Sequence, residues 1–269
     1  MTAAKNTTLV LAAHGSEAAP NSNMPIHVLA KQIESRGLFA RVKPAFLLGQ
    51  PNMTNVLEGV EPGPVVVVPV MTSHGYYLKK VIPGKLAENP NQERFDWHLS
   101  EVAGMHPNIA TLMIQRVRNR LQEFDTAESE TTLLLVGHGT RRNRNSAKST
   151  FALFEKLKMS FPQIRARVAF LDQDPELSLV AASIVSGHTL VVPFLVSRGP
   201  HMTEDVPRSI GLPSGADISL PLHKESGSRK TICEMPIGMY PEMADICVEL
   251  AEQAILENRK LALPMEARA

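Results

Sequence analysis

A chain of 269 residues with 43% hydrophobic and 20% charged residues can bury two cores of ordinary size and does not read as a disordered or fibrous sequence. Its 28 Lys and Arg against 27 Asp and Glu leave no global field for nucleic acid or an anionic membrane. Cys233 and Cys247 are the only cysteines and have neither redox nor zinc-ribbon spacing. The polar start lacks the order of a signal peptide, and no apolar run reaches the roughly 18 residues of a membrane span. A cytoplasmic protein is expected.

Taken in chain order, Thr8 to Ala13 is a continuous apolar strand, as in the middle of a parallel sheet, and it stops at His14, Gly15 and Ser16. Pro25 opens a helix with Ile26, Leu29, Ala30 and Ile33 on one face, closing at Gly37. A strand over Arg41 to Leu48 follows, then a short helix over Asn52 to Gly59 and a valine-rich strand from Pro64 to Met71. Phe95 to Leu99 reads as a fourth strand, and Pro107 starts a long helix with Ile109, Leu112, Met113, Val117, Leu121 and Phe124 inward. The acidic stretch Asp125 to Glu130 reads as a linker.

The pattern then starts again. Thr7–Ser16 (TTLVLAAHGS) returns as Thr131–Thr140 (TTLLLVGHGT), a displacement of 124 positions, the step from His14 to His138. The same step carries Ala45-Phe46-Leu47 onto Ala169-Phe170-Leu171, Val66–Pro69 onto Leu190–Pro193, Ser73 onto Ser197, Gly75 onto Gly199 and Pro83 onto Pro207. The second repeat therefore reads as strand 131–137, helix 146–159, strand 165–171, helix 175–186, strand 189–196 and a last helix from near Pro241. Between Pro207 and Gly238 it is ten residues longer than the first between Pro83 and Gly104, and the extra stretch, Gly211 to Arg229, reads as a surface loop. Alternating strands and helices predict two similar doubly wound α/β lobes with parallel sheets, over 1–125 and 131–269. Ligands of such sheets sit beyond the carboxyl ends of the strands, where both His-Gly pairs fall.

Imidazole at that rim suits two tasks, binding a borderline divalent metal and moving protons near neutral pH. A strand-end histidine that merely holds a loop is the alternative, and its recurrence in register weakens that alternative. His201 follows His138 by 63 residues, on the loop leaving the third strand of its lobe, so strand ends can place the two imidazoles several ångströms apart. The matching first-lobe position is Tyr77, with His74 three residues earlier. His14, His74, His138 and His201 are thus candidate metal ligands for an open, transient site, because a closed structural zinc site fills four positions. Glu204 and Asp205 can accept protons there, or alternatively open a helix. Lys79, Lys80, Arg141, Arg142 and Arg198 suit a substrate bearing several carboxylates, although a solvated charged face is a fair account of the arginines after His138. No dinucleotide fingerprint, phosphate loop or Gly-x-Ser-x-Gly elbow is present, which removes the commonest nucleotide and hydrolase readings.

The paired strand-His-Gly motifs, the stretch Val192 to Pro207 with Gly199, His201 and Asp205, and the segment Pro236 to Pro241 echoed at Gly104 to Pro107 resemble the class II tetrapyrrole chelatases. The two-lobed sirohydrochlorin cobaltochelatases are the most similar form, and the resemblance covers about 7–123 and 131–255. It implies that His138 and His201 handle metal, that His14 is the first-lobe counterpart of His138, and that Tyr77 and Val81 stand where the second lobe has His201 and Asp205. The implied reaction inserts a divalent ion, Co²⁺ first and Fe²⁺ or Ni²⁺ as alternatives, into sirohydrochlorin with release of two protons. The ion is a substrate, and no organic cofactor is implied. His138, His201, His14 and Glu204 would carry the chemistry in a groove holding a flat ring, with Arg141, Arg142, Arg198, Lys79 and Lys80 at its carboxylates. An iron-inserting enzyme for sirohaem and a carrier without turnover remain the other readings. The tetrapyrrole is the only partner expected, with neither nucleic acid nor membrane, in a monomer with paired lobes or a homodimer.

Overall fold

The computed structural model describes residues 2–140, 147–215 and 220–263. They form two compact units, one of Met1–His106 with Pro241–Ala269, the other of Pro107–Tyr240. The repeat boundary near residue 125 and the unit boundaries therefore do not coincide. Each unit takes in the last helix of the other repeat, and the acidic stretch 125–130 lies inside the second unit, ending as a 3-10 turn at Glu128–Glu130.

The first unit contains α1 (Thr2–Lys5), β1 (Thr8–Gly15), α2 (Met24–Glu34), β2 (Arg41–Leu48), β3 (Gly63–Pro69), α3 (Ile82–Ala87) and β4 (Phe95–Leu99). Its four strands run parallel in the order β2-β1-β3-β4. Residues Thr8 to Ala13 are all buried, which is why an uninterrupted apolar run was needed there rather than an alternating one. Val65 to Val68 beside them are at most 1% exposed, and each such side chain contributes about 1.5–3 kcal/mol on burial. In α2, Ile26, Leu29, Ala30 and Ile33 are buried, one helical face as the spacing predicts.

The second unit contains α4 (Asn108–Glu123), β5 (Thr131–Gly137), α5 (Lys148–Ser160), β6 (Arg165–Phe170), α6 (Leu177–Ala182), β7 (His188–Phe194), α7 (Val206–Ser209), β8 (Leu222–Ser226) and β9 (Arg229–Cys233). The strand order is β6-β5-β7-β9-β8, so the core order of the first sheet recurs. The remaining helix, α8 (Met243–Leu256), belongs to the first unit. No helix of the described residues is long and apolar enough to cross a membrane.

Two sequence expectations need correction. Asn52 to Gly59 is a run of turns, not a helix. Its bonds from Asn55, Glu58 and Val60 reach back three residues, and the Asn52 side chain takes the Thr54 N–H at 2.9 Å, a local alternative to helix. The stretch Gly211 to Arg229 is not all loop, because Leu222–Ser226 pairs antiparallel with β9 across Gly227 and Ser228. Four of the five β8 residues are exposed, so the strand carries no apolar signal. It exists to cover the open edge of β9. In the first sheet the chain after α8 covers part of the matching edge, with Leu99 N–H donating to Arg259 O and Leu261 N–H to Trp97 O.

Candidate metal centre

In both sheets the chain leaves the first strand toward one side, to β2 or β6, and leaves its neighbour, β3 or β7, toward the other, so a crevice opens between the carboxyl ends of β1 and β3 and of β5 and β7. His14 and His138 stand at those ends. The glycine after each adopts a left-handed φ of +71°, which turns its carbonyl back onto the preceding ring. His138 Nδ1 lies 3.0 Å from Gly139 O, and His14 Nδ1 lies 3.1 Å from Gly15 O. A carbonyl only accepts, so Nδ1 carries the proton and donates, and a neutral ring keeps its lone pair on Nε2. The His-Gly spacing thus fixes a tautomer.

The second element of each rim is a π-helical turn, Tyr77–Val81 in the first unit and His201–Asp205 in the second. The turns sit at the same repeat position and are closed by i→i+5 bonds, Ile82 N–H to Tyr77 O and Val206 N–H to His201 O. Their first residues lie over the strand-end histidines. The His138 and His201 rings are edge to face with centroids 4.9 Å apart, and His14 and Tyr77 repeat that arrangement at 4.9 Å.

In the second unit a carboxylate completes the group. Asp172 N–H donates to the His138 carbonyl at 3.0 Å, and Asp172 Oδ2 stands 3.2 Å from His138 Nδ1. One donor atom each from His138, Asp172 and His201 lies within 4.8 Å of the other two, the single such trio among the described residues. All three side chains are reachable, at 49%, 52% and 44% exposure. Two imidazoles and one carboxylate with open positions around them suit capture and release of a borderline divalent ion. Sequence reasoning missed Asp172. The available signal was the repeat itself, which places Asp172 opposite Leu48, just past the matched Leu47 and Leu171.

The other expected residues divide. His14 Nε2 accepts a hydrogen bond from the Tyr77 hydroxyl at 3.0 Å, so its free lone pair is taken. His74 Nε2 pairs with Glu101 at 2.7 Å and does not join His14 in a metal-ligand trio. Glu204 faces Arg208 at 3.6 Å, while its neighbour Asp205 meets His201 Nδ1 at 2.8 Å. Lys79 and Lys80 are exposed on the first π turn, and Arg198 is half-buried on the loop after β7. Arg141 and Arg142 lie outside the described residues.

The CbiX family profile matches residues 8–120 and again 132–254. A probable sirohydrochlorin cobaltochelatase of Halobacterium salinarum is 29% identical over 266 residues, 91% of each chain. A sirohydrochlorin cobaltochelatase of Methanopyrus kandleri is 29% identical over 140 residues, 97% of its own length and 43% of this chain, so that relative is about one repeat long. SirB of Bacillus subtilis, solved with Fe3+, has the same fold at a TM-score of 0.73 and 14% identity, covering 96% of this chain and 100% of its own.

Proposed function

The chain belongs to the CbiX family, and on that premise we propose that it inserts Co²⁺ into sirohydrochlorin, with His138, Asp172 and His201 receiving the ion. The observation that carries the reading is the convergence of these three donors within 4.8 Å at the carboxyl edge of the second sheet. The near full-length relative named for cobalt insertion supports the choice of reaction.

The chemistry follows from the donors. Two neutral imidazoles and one carboxylate replace part of the ion's water shell without filling its coordination sphere, so macrocycle nitrogens can displace them one at a time. Two pyrrolic N–H bonds break with release of two protons, the four ring nitrogens bind the ion, and the two negative charges left on the ring balance its two positive ones. As the ion passes to the ring, the imidazole and carboxylate lone pairs are released, and these groups can accept the departing protons. Arg198, in the same unit as the trio, is a candidate to hold a peripheral carboxylate of the ring by charge-assisted hydrogen bonds. Glu204, turned toward Arg208, is the weaker candidate for a proton acceptor beside Asp172.

The test mixes the full chain with metal-free sirohydrochlorin and, in parallel, Co²⁺, Fe²⁺ or Ni²⁺, following the macrocycle's absorbance against the uncatalysed rate. We expect acceleration with Co²⁺, and a loss of about 10²-fold or more in His138→Ala and in His201→Ala. Rates indifferent to both substitutions, with tight macrocycle binding, would identify a carrier instead. Faster turnover with Fe²⁺ than with Co²⁺ would move the assignment to sirohaem formation.

A further inference from the structure

The two histidines of the metal centre are not held alike. His138 Nδ1–H donates to the carbonyl of Gly139 at 3.0 Å, and the carboxylate beside it, Asp172 at 3.2 Å, belongs to the trio itself, whereas His201 Nδ1 lies 2.8 Å from Oδ2 of Asp205, a carboxylate outside the trio. Asp205 ends the π turn with helical φ −68° and ψ −48° and runs straight into α7, and its side chain caps no helix N–H. Its carboxylate is committed to the imidazole four residues back. The π turn makes this possible, because a turn closed by i→i+5 bonds is wider than an α turn and brings positions i and i+4 nearly into line.

We propose that Asp205 is a positioning residue: it keeps the His201 proton on Nδ1, so that Nε2 is the nitrogen that seizes the incoming metal, and it raises that nitrogen's hold on the ion. This rests on the reading of His138, Asp172 and His201 as the metal centre. A carboxylate behind a ligating imidazole fixes the tautomer and the ring orientation and increases donor strength. The first unit supports the assignment by contrast. Its π turn has Val81 at the Asp205 position and Tyr77 at the His201 position, so the orienting acid and the ring it would orient are missing together. Asp205 is also held from its backbone side, where Ser209 Oγ donates to Asp205 O at 2.8 Å. Glu204 beside it is drawn to Arg208 and leaves the imidazole to Asp205 alone among the two acids.

The experiment uses the full-length chain with Co²⁺ alone, so turnover does not enter. Cobalt affinity and the visible absorption of bound Co²⁺ are measured for the wild type, Asp205→Val, Asp205→Ala and Asp205→Asn. The tautomer of His201 is read in the metal-free proteins by nitrogen NMR of labelled histidine, at a pH where imidazole is neutral. Asp205→Val and Asp205→Ala should weaken Co²⁺ binding about 10–100-fold, release the Nδ1–H preference of His201 and alter the cobalt spectrum. Asp205→Asn keeps an acceptor of the same shape without the charge, so it should retain the tautomer and recover part of the affinity. A wild type that binds Co²⁺ and alanine and valine variants that match it within twofold, with His201 still protonated on Nδ1, would overturn the inference alone. A wild type that takes up no Co²⁺ would overturn the metal centre and this inference with it.

Discussion

The two rims of this protein share a backbone and, of four matched side chains, differ in three. At equivalent places the second unit presents His138, Asp172, His201 and Asp205, and the first presents His14, Leu48, Tyr77 and Val81. The glycine after the strand has the same φ in both, the π turn starts at the same repeat position, and the two rings meet at the same 4.9 Å. What changed is donor chemistry. The two repeats share the geometry that aims side chains at the rim, and the first presents a phenol and two aliphatic groups where the second presents an imidazole and two carboxylates. The lesson is that rim geometry and metal competence are separable, because backbone sets the aim while three or four side chains set what is aimed.

The comparison breaks most cleanly by rewriting the second rim as the first. Asp172→Leu with His201→Tyr leaves one imidazole whose Nε2 can be capped by a hydroxyl, as His14 is by Tyr77. Cobalt affinity should fall by at least about 10²-fold, a loss that calorimetry with Co²⁺ reads directly. The reverse rewriting sharpens it. Leu48→Asp, Tyr77→His and Val81→Asp together should raise the cobalt stoichiometry from one ion per chain to two. Tyr77→His alone should give a weaker second site, since the carboxylate ligand and the orienting acid would both be missing. A stoichiometry that stays at one in the triple variant would show that the rims differ in more than these positions.

Much of this was open to sequence reading, and the part that was not has a physical cause. Strands β1, β3, β5 and β7 are buried on both faces, so continuous apolar runs announced them, and the repeat placed both histidines at strand ends before any coordinates. The exchange of α4 and α8 between units left no mark in the sequence, because a helix needs the same apolar stripe whichever sheet it covers. β8 escaped because its residues face water and its reason for existing is an edge rather than a core. Asp172 escaped because a lone acid after a strand resembles any surface acid until β6 is known to lie beside β5, the strand that ends at His138. His14 was legible as a position and not as a role, since the Tyr77 hydroxyl that occupies it lies 63 residues away.

A smaller effect distinguishes the two turn glycines. A Cβ on Gly15 would meet the backbone oxygen of Leu48 at 2.2 Å, whereas on Gly139 it would meet Gln173 Cγ at 2.4 Å, part of a side chain that can swing away. Both carry the same left-handed φ, costing about 1–2 kcal/mol for any residue with a Cβ. Gly15→Ala should therefore cost about 2–4 kcal/mol in denaturant unfolding, strain plus overpacking. Gly139→Ala should cost about half of that while disturbing the bond from Thr140 N–H to Gln173. Equal losses would mean that the first rim can relax as freely as the second.

The smallest effect concerns how each sheet closes its fourth strand. In the second unit the edge is covered by a hairpin with regular pairing, and in the first by the chain beyond α8, pinned where Lys260 bonds both carboxylate oxygens of Asp96. That bond from Lys260 holds the Asp96 carboxyl below its ordinary value of 3.8. A lowered folded value stabilises the fold above the unfolded pKa, and that contribution disappears as pH falls through the folded one. Both side chains are about half exposed, so solvent screening limits the pair to less than about 1 kcal/mol. Lys260→Met should accordingly lower the Tm by about 2–4 °C at most near neutral pH. The gap from wild type should close as the pH is taken below 3.8 and on through the still lower folded value. A gap that persisted in acid would place the tail's hold in the backbone bonds of Leu99 and Leu261 and in the packing of Leu261 and Leu263 on the first core, with the ion pair contributing nothing.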